Sequence, residues 1–561
     1  MRQSPIVSQF AAPPLWVFLA FIATFSLVLW PCSAMAKTVL GTHLAASLTP
    51  TELPVAATAE APPTAHGADL PPREVRAQTW DVSGQLELSH TAGADFGVDD
   101  VGTRSGQAQV GQARLIAGGR TQLGERTRLD LELETHSAAL WGDPLTLGQG
   151  YTSRPFSEDR AGTGDLARVL PRKAAVTVRT DVGQFSFGFQ TFTWGTGMVA
   201  NDGAGAQQAD GPQFGSSRLG NIVLRGSYAL KPLRDAHSPF WRSLAAFIAA
   251  DGVLRDDNAS WLDGDRAYSG VLGVRAEDAG DALGLLVSTR SQLDRYDAWR
   301  PDDASVTRVV VLDGYGKKSL ELTPGQRILL EGEVAGIFGR STRPYGEETF
   351  KKGAAVVQLG AVGRVRWDHD PSRLSTHLEL GYASGDNDPR DANARQLTMH
   401  SDHNVGLLLF ERVLPAVSAR SVDRLADGQL VAQPPASARF AINQGAVQNA
   451  AYMHPVVRWR PLQQLELRLG WLFAVAASDV MDAYQTGVHG GFATTPGGQV
   501  RGGRVYGHEF DARAAWTQPL PGKLAVRVGA EGGVFLPGAA FDGVLDLGTP
   551  WLARGFLALG W

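Results

Sequence analysis

Leu465-Glu466-Leu467-Arg468-Leu469-Gly470-Trp471-Leu472-Phe473 decides the fold class. Leu465, Leu467, Leu469, Trp471 and Phe473 fall on one side of a period of two, and Glu466, Arg468 and Gly470 on the other. That is the side-chain period of a β-strand with one apolar and one polar face; a helix would repeat near every ~3.6 residues. The pattern recurs along the chain. Leu129, Leu131 and Leu133 alternate with Asp130, Glu132 and Glu134, and Phe185, Phe187 and Phe189 with Gln184, Ser186, Gly188 and Gln190. From Thr79 to Trp561 no apolar run approaches the ~20 residues of a membrane helix.

Eighteen such segments start near 79, 108, 127, 173, 184, 219, 243, 268, 282, 306, 327, 353, 374, 447, 463, 504, 523 and 551. Long polar connections (138–172, 195–218, 254–267, 384–446, 477–503) follow odd-numbered segments, and tight turns such as Asp181-Val182-Gly183 follow even-numbered ones. This two-sided pattern predicts an all-β chain: a single transmembrane antiparallel β-barrel of 16–18 strands, eighteen by the count, with short periplasmic turns and long extracellular loops. A soluble propeller would show a fixed-period repeat, and none is present. In a soluble sandwich the apolar face would pack inward; in a membrane barrel it faces lipid.

The N-terminus supplies an address. Arg2 precedes the apolar run Leu15–Leu29 and the triplet Ala34-Met35-Ala36, the layout of a secretory signal peptide over residues 1–36. Its removal takes Arg2 and the single cysteine, Cys32, and leaves 57 acidic against 51 basic residues, a formal charge of −6. Disulfides and cysteine-based zinc sites are excluded, and the acidic balance argues against nucleic acid as a partner. Residues 37–77, rich in Ala, Pro and Thr, read as a disordered periplasmic linker, with the barrel over 78–561. An even strand count places both termini on the periplasmic side of a bacterial outer membrane. The chain ends Phe556-Leu557-Ala558-Leu559-Gly560-Trp561; this ending resembles the C-terminal signal read by barrel-assembly machinery, with Trp561 as the terminal aromatic.

With the apolar registers in lipid, the opposite registers line a lumen. They place Arg179, Arg225, Arg275, Arg290 and Arg308 on strands 4 to 10 with no acid in the same registers, and Glu331 and Glu333 opposite Arg364 and Arg366 on strands 11 and 12. Arg458, Arg460, Glu466, Arg468, Glu509, Asp511, Arg513 and Arg527 complete the expected lining. The acid–arginine group is expected to ladder across neighbouring strands. The arginine strip is expected to give a modest anion preference, as in other pores lined by one sign of charge. Asp386, Asp388 and Asp391 are a weak Ca²⁺ candidate beside the simpler reading of a solvated acidic turn, and His400 and His403 a weak transition-metal pair. No G-x-S-x-G, H-E-x-x-H or P-loop is present, and no cofactor is expected.

Three blocks resemble the alginate-export-type outer-membrane β-barrel porins and related barrels of unassigned cargo. They are Phe192-Thr193-Trp194-Gly195-Thr196-Gly197 running to Asn201-Asp202-Gly203; Leu380 to Asp386 followed by His403-Asn404-Val405-Gly406-Leu407-Leu408-Leu409-Phe410; and Glu509-Phe510-Asp511 leading to Gly533–Phe541. The resemblance implies an eighteen-stranded barrel and passive passage of a polymer or solute through a charged lumen. The expected function is therefore a porin-like channel for passage or export of a polar solute or polysaccharide. The alternative is a structural or adhesive barrel in an envelope assembly, with envelope proteins as partners besides the outer-membrane lipids. Loop 384–446 is long enough either to plug a pore or to grip a partner.

Overall fold

The structure is a computed structural model. It describes residues 80–561 apart from 107–108, 137–139, 144–146, 149–167, 204–212, 216–219, 295–304, 344–352, 389–390 and 433–437. The expected signal peptide and linker lie outside the described residues.

Among the described residues eighteen long strands form one sheet, to which the two-residue strands Trp141–Gly142 and Asn393–Ala394 add at the edges of the wall. The long strands are β1 (Trp80–Gly93), β2 (Gln109–Gln122), β3 (Thr127–His136), β4 (Arg168–Arg179), β5 (Gln184–Gln190) and β6 (Ile222–Leu230). Next come β7 (Ala245–Arg255), β8 (Arg266–Asp278), β9 (Asp281–Asp294), β10 (Ser305–Thr323), β11 (Gln326–Ser341) and β12 (Ala354–His369). The last are β13 (Leu374–Ala383), β14 (Ala450–Trp459), β15 (Leu465–Ala476), β16 (Val505–Pro519), β17 (Ala525–Pro537) and β18 (Trp551–Gly560). Each is antiparallel to the next, and β18 returns to β1 with Leu557 opposite Leu88, so the sheet closes and no main spanning edge is left open. Each strand begins within a few residues of the position its alternation predicts. One even-numbered connection is longer than expected: residues 231–244 carry a helical turn at Pro239–Arg242.

The two faces separate as the alternation requires. Leu131 and Leu133 on β3, Phe185 and Phe187 on β5, Leu283 and Leu285 on β9 and Val310 and Leu312 on β10 are exposed on the outer face. An aliphatic and aromatic exterior on a closed antiparallel sheet is the solution a bilayer imposes. The inner face is fixed by contacts that cross the barrel. Trp194, in the connection after β5, donates its indole N–H to Asp313 on β10 at 3.1 Å, so Asp313 and the other odd-numbered residues of that part of β10 point inward.

The described parts of the connections after β5 and β13 fold into the lumen. The second carries an irregular turn at Leu409–Val413 leading into helix α1 (Leu414–Ala426), with Pro415 in its first turn, where a missing N–H costs nothing. Leu408, Leu409, Phe410, Val413, Val422 and Leu425 are fully buried, packed with inward wall residues such as Tyr452, Leu472, Tyr506 and Phe535. Each buried side chain of this size contributes about 1.5–3 kcal/mol. A second short helix, α2 (Ala483–Val488), lies in the connection after β15 and packs against α1.

Candidate functional site

The inward loops are held by acids of the wall. On β16, Glu509 is fully buried and accepts the backbone N–H groups of Leu407, Leu408 and Leu409, the last two at 2.8 Å. These are orphan donors at the start of the helical segment 409–426, where the peptide dipoles also favour a negative charge. The approach requires Gly406: its φ is +77°, and a Cβ there would lie 2.6 Å from a Glu509 oxygen. The first loop repeats the device. Glu333 on β11 accepts the Thr196 N–H and, at 2.6 Å, its hydroxyl, and a Cβ on Gly195 (φ +57°) would meet a Glu333 oxygen at 2.3 Å. Arg172 on β4 reaches the Asp202 carbonyl at 2.6 Å while bridging Glu132 and Glu134, and Arg468 on β15 reaches the Gln213 carbonyl at 2.6 Å.

These placements revise the expected lining. The arginine strip is not without acids. Arg225 makes a bidentate pair with Asp251 on β7, both bonds 2.7 Å, and lies over the Phe192 ring. Arg275 pairs with Glu277 at 2.8 Å, and Arg290 binds both oxygens of Asp256, just past the end of β7. Asp251 sits in an alanine-rich segment whose polar register is hard to assign, and Asp256 is a loop residue, so neither shows in strand alternation. Arg179 is exposed at the short-turn end of β4. Arg308 does not line the lumen. It lies opposite Arg340 and Ser291, in the same even register as Val310 and Leu312, on the outer face. The run Val309-Val310-Val311-Leu312 is apolar at both parities, so alternation alone could not orient it.

Elsewhere the ladder is partly as expected. Arg364 lies between Glu379 at 2.6 Å and Glu331 at 3.4 Å, and Glu331 also accepts the Tyr315 hydroxyl at 2.7 Å. Glu333 holds the loop, and Arg366 bonds Asp368 at 3.1 Å. Glu466 gathers Arg468 at 2.7 Å, Arg460 at 2.9 Å and Arg527 at 3.8 Å. Arg513 meets Glu531 at 3.4 Å, Asp511 is buried one inward position from Glu509, and Arg458 is half-buried in an inward register opposite Arg468.

Between the inward loops and the wall from β6 to β12 lies a chamber of 560 Å³. Its described lining carries three arginines (Arg225, Arg290, Arg343) and six aspartates (Asp251, Asp256, Asp257, Asp265, Asp386, Asp482). Gln292, Gln358, Gln396, Gln444, Gln448 and Asn443 supply neutral donors and acceptors. Apolar patches, Val271, Leu286 and Val311 among them, interrupt the polar groups.

The weak metal candidates resolve into ordinary pairing. Asp386 accepts the Asp388 and Arg395 N–H groups, and the Arg395 guanidinium reaches Asp391 at 2.7 Å and Asp386 at 3.6 Å, supplying positive charge where a cation would sit. His403 bonds Glu379 and the Tyr452 hydroxyl, both at 3.1 Å, while His400 bonds Asn221 at 2.7 Å. Among the described residues no three metal-ligating side chains converge.

One acid at the chamber titrates unusually. Asp482 caps α2 through the Gln485 N–H at 2.8 Å, yet burial pushes its pKa up to about 6, against the opposing pull of the Gln485 N–H, the Ser421 hydroxyl and Arg424 and with the help of Asp100. The folded value lies above the unfolded one of ~3.9, so stability from this group is fullest at low pH and is lost as pH rises from about 4 through about 6. Amide protection over 483–488, corrected for intrinsic exchange, should fall across that window. Asp482→Asn should flatten the dependence, and an unchanged slope would exclude this carboxyl as its source.

No family model matches the chain, the alginate-export type included, and no curated protein matches it. Solved structures do. The barrel is similar to crystal structures from two Pseudomonas species. Pseudomonas aeruginosa OccK8 (OprE) shares 9% identity over 86% of this chain and 98% of that one, with a TM-score of 0.47. A BenF-like porin from Pseudomonas fluorescens shares 8% over the same fractions, also with a TM-score of 0.47. Pseudomonas aeruginosa OpdK with vanillate shares 12% over 86% and 98%, with a TM-score of 0.46. Likenesses of that size establish no family for this chain.

Proposed function

We propose that this barrel is an outer-membrane channel for the passive passage of small polar solutes, with both termini periplasmic and the long loops outside the cell. The observation that carries the reading is the chamber of 560 Å³ between the inward loops and the β6–β12 wall, lined by amides and charged groups in place of a closed apolar core. A stretch of wall left wet beside a tightly packed plug has no stabilising purpose; a solute path explains it. Its size suits a small molecule better than a folded chain or a polymer of bulky sugars. With α1 and its loop crossing the lumen, polysaccharide export loses its support.

Charge refines the solute class. Aspartates outnumber arginines in the described chamber lining, and Arg225 and Arg290 are each neutralised by one of them. The anion preference expected from those arginines has no support once they are paired. The chamber favours neutral or cationic polar solutes that can use its amides and carboxylates.

Planar-bilayer recording tests both statements. Folded protein should give small discrete conductance steps, with a reversal potential in a salt gradient at or on the cation side of zero. Absence of current from folded protein, including a variant lacking 409–426, would overturn the channel reading and favour a structural barrel. A reversal potential on the anion side would overturn the solute class alone. Arg225→Gln should cost about 3–5 kcal/mol by leaving Asp251 buried and unpaired, read as a lower unfolding midpoint of the detergent-folded barrel.

A further inference from the structure

Outside the lumen, one pair of like charges is placed where no described residue answers it. Arg308 on β10 and Arg340 on β11 are directly opposite each other on the lipid-facing side, and both are exposed. Like charges in directly opposed positions are destabilising, with Cβ atoms only about 5 Å apart. Neither guanidinium has an ion pair or hydrogen bond among the described residues. A neighbouring outward arginine shows the contrast: Arg266 on β8 donates to the Trp261 and Asp265 carbonyls and stacks on the Trp261 ring at 4.3 Å.

The depth of the pair is set by the strand. Below Arg308 the outward residues of β10 are Val310, Leu312, Gly314 and Gly316, and the next charge is Lys318, which pairs with Asp281 at the short-turn end. Ten residues at about 3.4 Å each, tilted by about 45°, span about 24 Å, which matches the ~25 Å apolar band of an outer-membrane barrel. Arg308 and Lys318 therefore mark its two edges. Beside Arg308 the outer wall is indented by a hollow of 540 Å³, lined by Tyr268, Gly270, Ser291, Val310 and Phe338. The hollow offers a hydroxyl and an aromatic rim above a floor fit for acyl chains.

We propose that Arg308 and Arg340 bind the phosphate groups of an anionic phosphoglycolipid of the outer leaflet, whose sugar and upper acyl chains occupy this hollow. Two guanidinium groups side by side suit a phosphate, which accepts paired N–H bonds and cancels the repulsion between them. The site rests on the orientation given under the proposed function, since the long-loop end must face the leaflet that holds such lipids.

Native mass spectrometry of the detergent-folded barrel, with diphosphoryl lipid A as the probe, tests it. Wild-type protein should retain the lipid, and Arg308→Gln/Arg340→Gln should lower its occupancy about tenfold. Fully dephosphorylated lipid A should bind wild-type protein as weakly. Equal occupancy in the double variant, or with the dephosphorylated lipid, would overturn the proposal. The double variant touches no lumen residue, so unchanged conductance and heat-modifiable migration establish that it is folded and open. Orientation is read separately by Val101→Cys on intact cells with a large impermeant maleimide. Labelling there with failed lipid discrimination sinks the lipid site alone, whereas labelling only after lysis sinks the orientation and the site with it.

Discussion

Glu509→Ala should unseat the plug while leaving the barrel closed. Glu509 is a multiple hold on the inward loop: one carboxylate takes three successive backbone N–H groups, and Asp511, the buried acid beside it, makes none of these bonds. Each donor left buried without a partner costs about 1–3 kcal/mol, and the favourable placement of a negative charge at a helix start is lost as well. The apolar contacts of Leu408, Phe410 and Val413 resist release, so the expected state is a loop that opens part of the time, not one that is expelled. Single-channel recordings should show a several-fold larger conductance level absent from wild type. Trypsin added to folded protein should cut at Arg412, Arg420 or Arg424, which lie within the loop. Glu509→Gln should be intermediate, because its remaining carbonyl oxygen still accepts while its NH₂ faces a donor. Adding Glu333→Ala should enlarge the effect, since Thr196 is held by a separate wall strand. Wild-type conductance and full protease protection in Glu509→Ala would show that packing alone seats the loop.

The same contact shows where sequence reading reached its limit. Strand periodicity found β1 to β18 because a two-faced wall imposes its period on every spanning segment, and Leu465 to Phe473 needed no tertiary information to be read. It could not see that Glu509 and Glu333 serve as docking points. Their partners include backbone N–H groups 100 or more residues away, and backbone donors leave no signature in composition. Some signal was present in the glycines. Gly195-Thr196 and Gly406-Leu407 fall inside the very blocks that resemble other outer-membrane barrels, and both glycines meet a wall carboxylate closely enough to exclude a Cβ. A glycine in a long loop, followed by small or aliphatic residues and matched to an inward acid, is a pattern that could have been sought.

Charge pairing was harder still. The alternation put Arg225 and Arg290 on the correct face, yet the acids that neutralise them come from an alanine-rich strand and from the loop after it. Arg308 fell on the wrong face because four consecutive aliphatic residues carry no parity. The lumen charge pattern is a property of the folded loops as much as of the strands. A selectivity inferred from strand registers alone therefore inherits their largest error, the neglect of what folds inward.

Closing the seam between β1 and β18 should be the most sensitive step of assembly, and Gly84→Leu should block it. Gly84 and Trp561 exchange both N–H···O bonds at 3.0 Å, the last pair of the seam. A Cβ on Gly84 would lie 2.3 Å from the Trp561 ring and 2.8 Å from the Ile116 carbonyl, so a larger side chain must displace the ring or the β1–β2 ladder beside it. Because the ring can swing outward, Gly84→Ala is expected to fold with a lowered melting temperature, whereas Gly84→Leu should yield little heat-modifiable barrel. A compensating change separates sterics from recognition. Gly84→Ala/Trp561→Ala removes the clash with the ring and leaves only the approach to the Ile116 carbonyl, so it should refold in detergent better than Gly84→Ala. If Trp561 is also read by barrel-assembly machinery, both variants carrying Trp561→Ala should stay scarce in the outer-membrane fraction of cells despite refolding normally after purification. Normal cellular assembly of Trp561→Ala would confine the residue to packing against Gly84. Failure of Trp561→Ala alone to refold would mean that the ring itself holds the seam, whereas failure of the double variant only would place the clash at the Ile116 carbonyl.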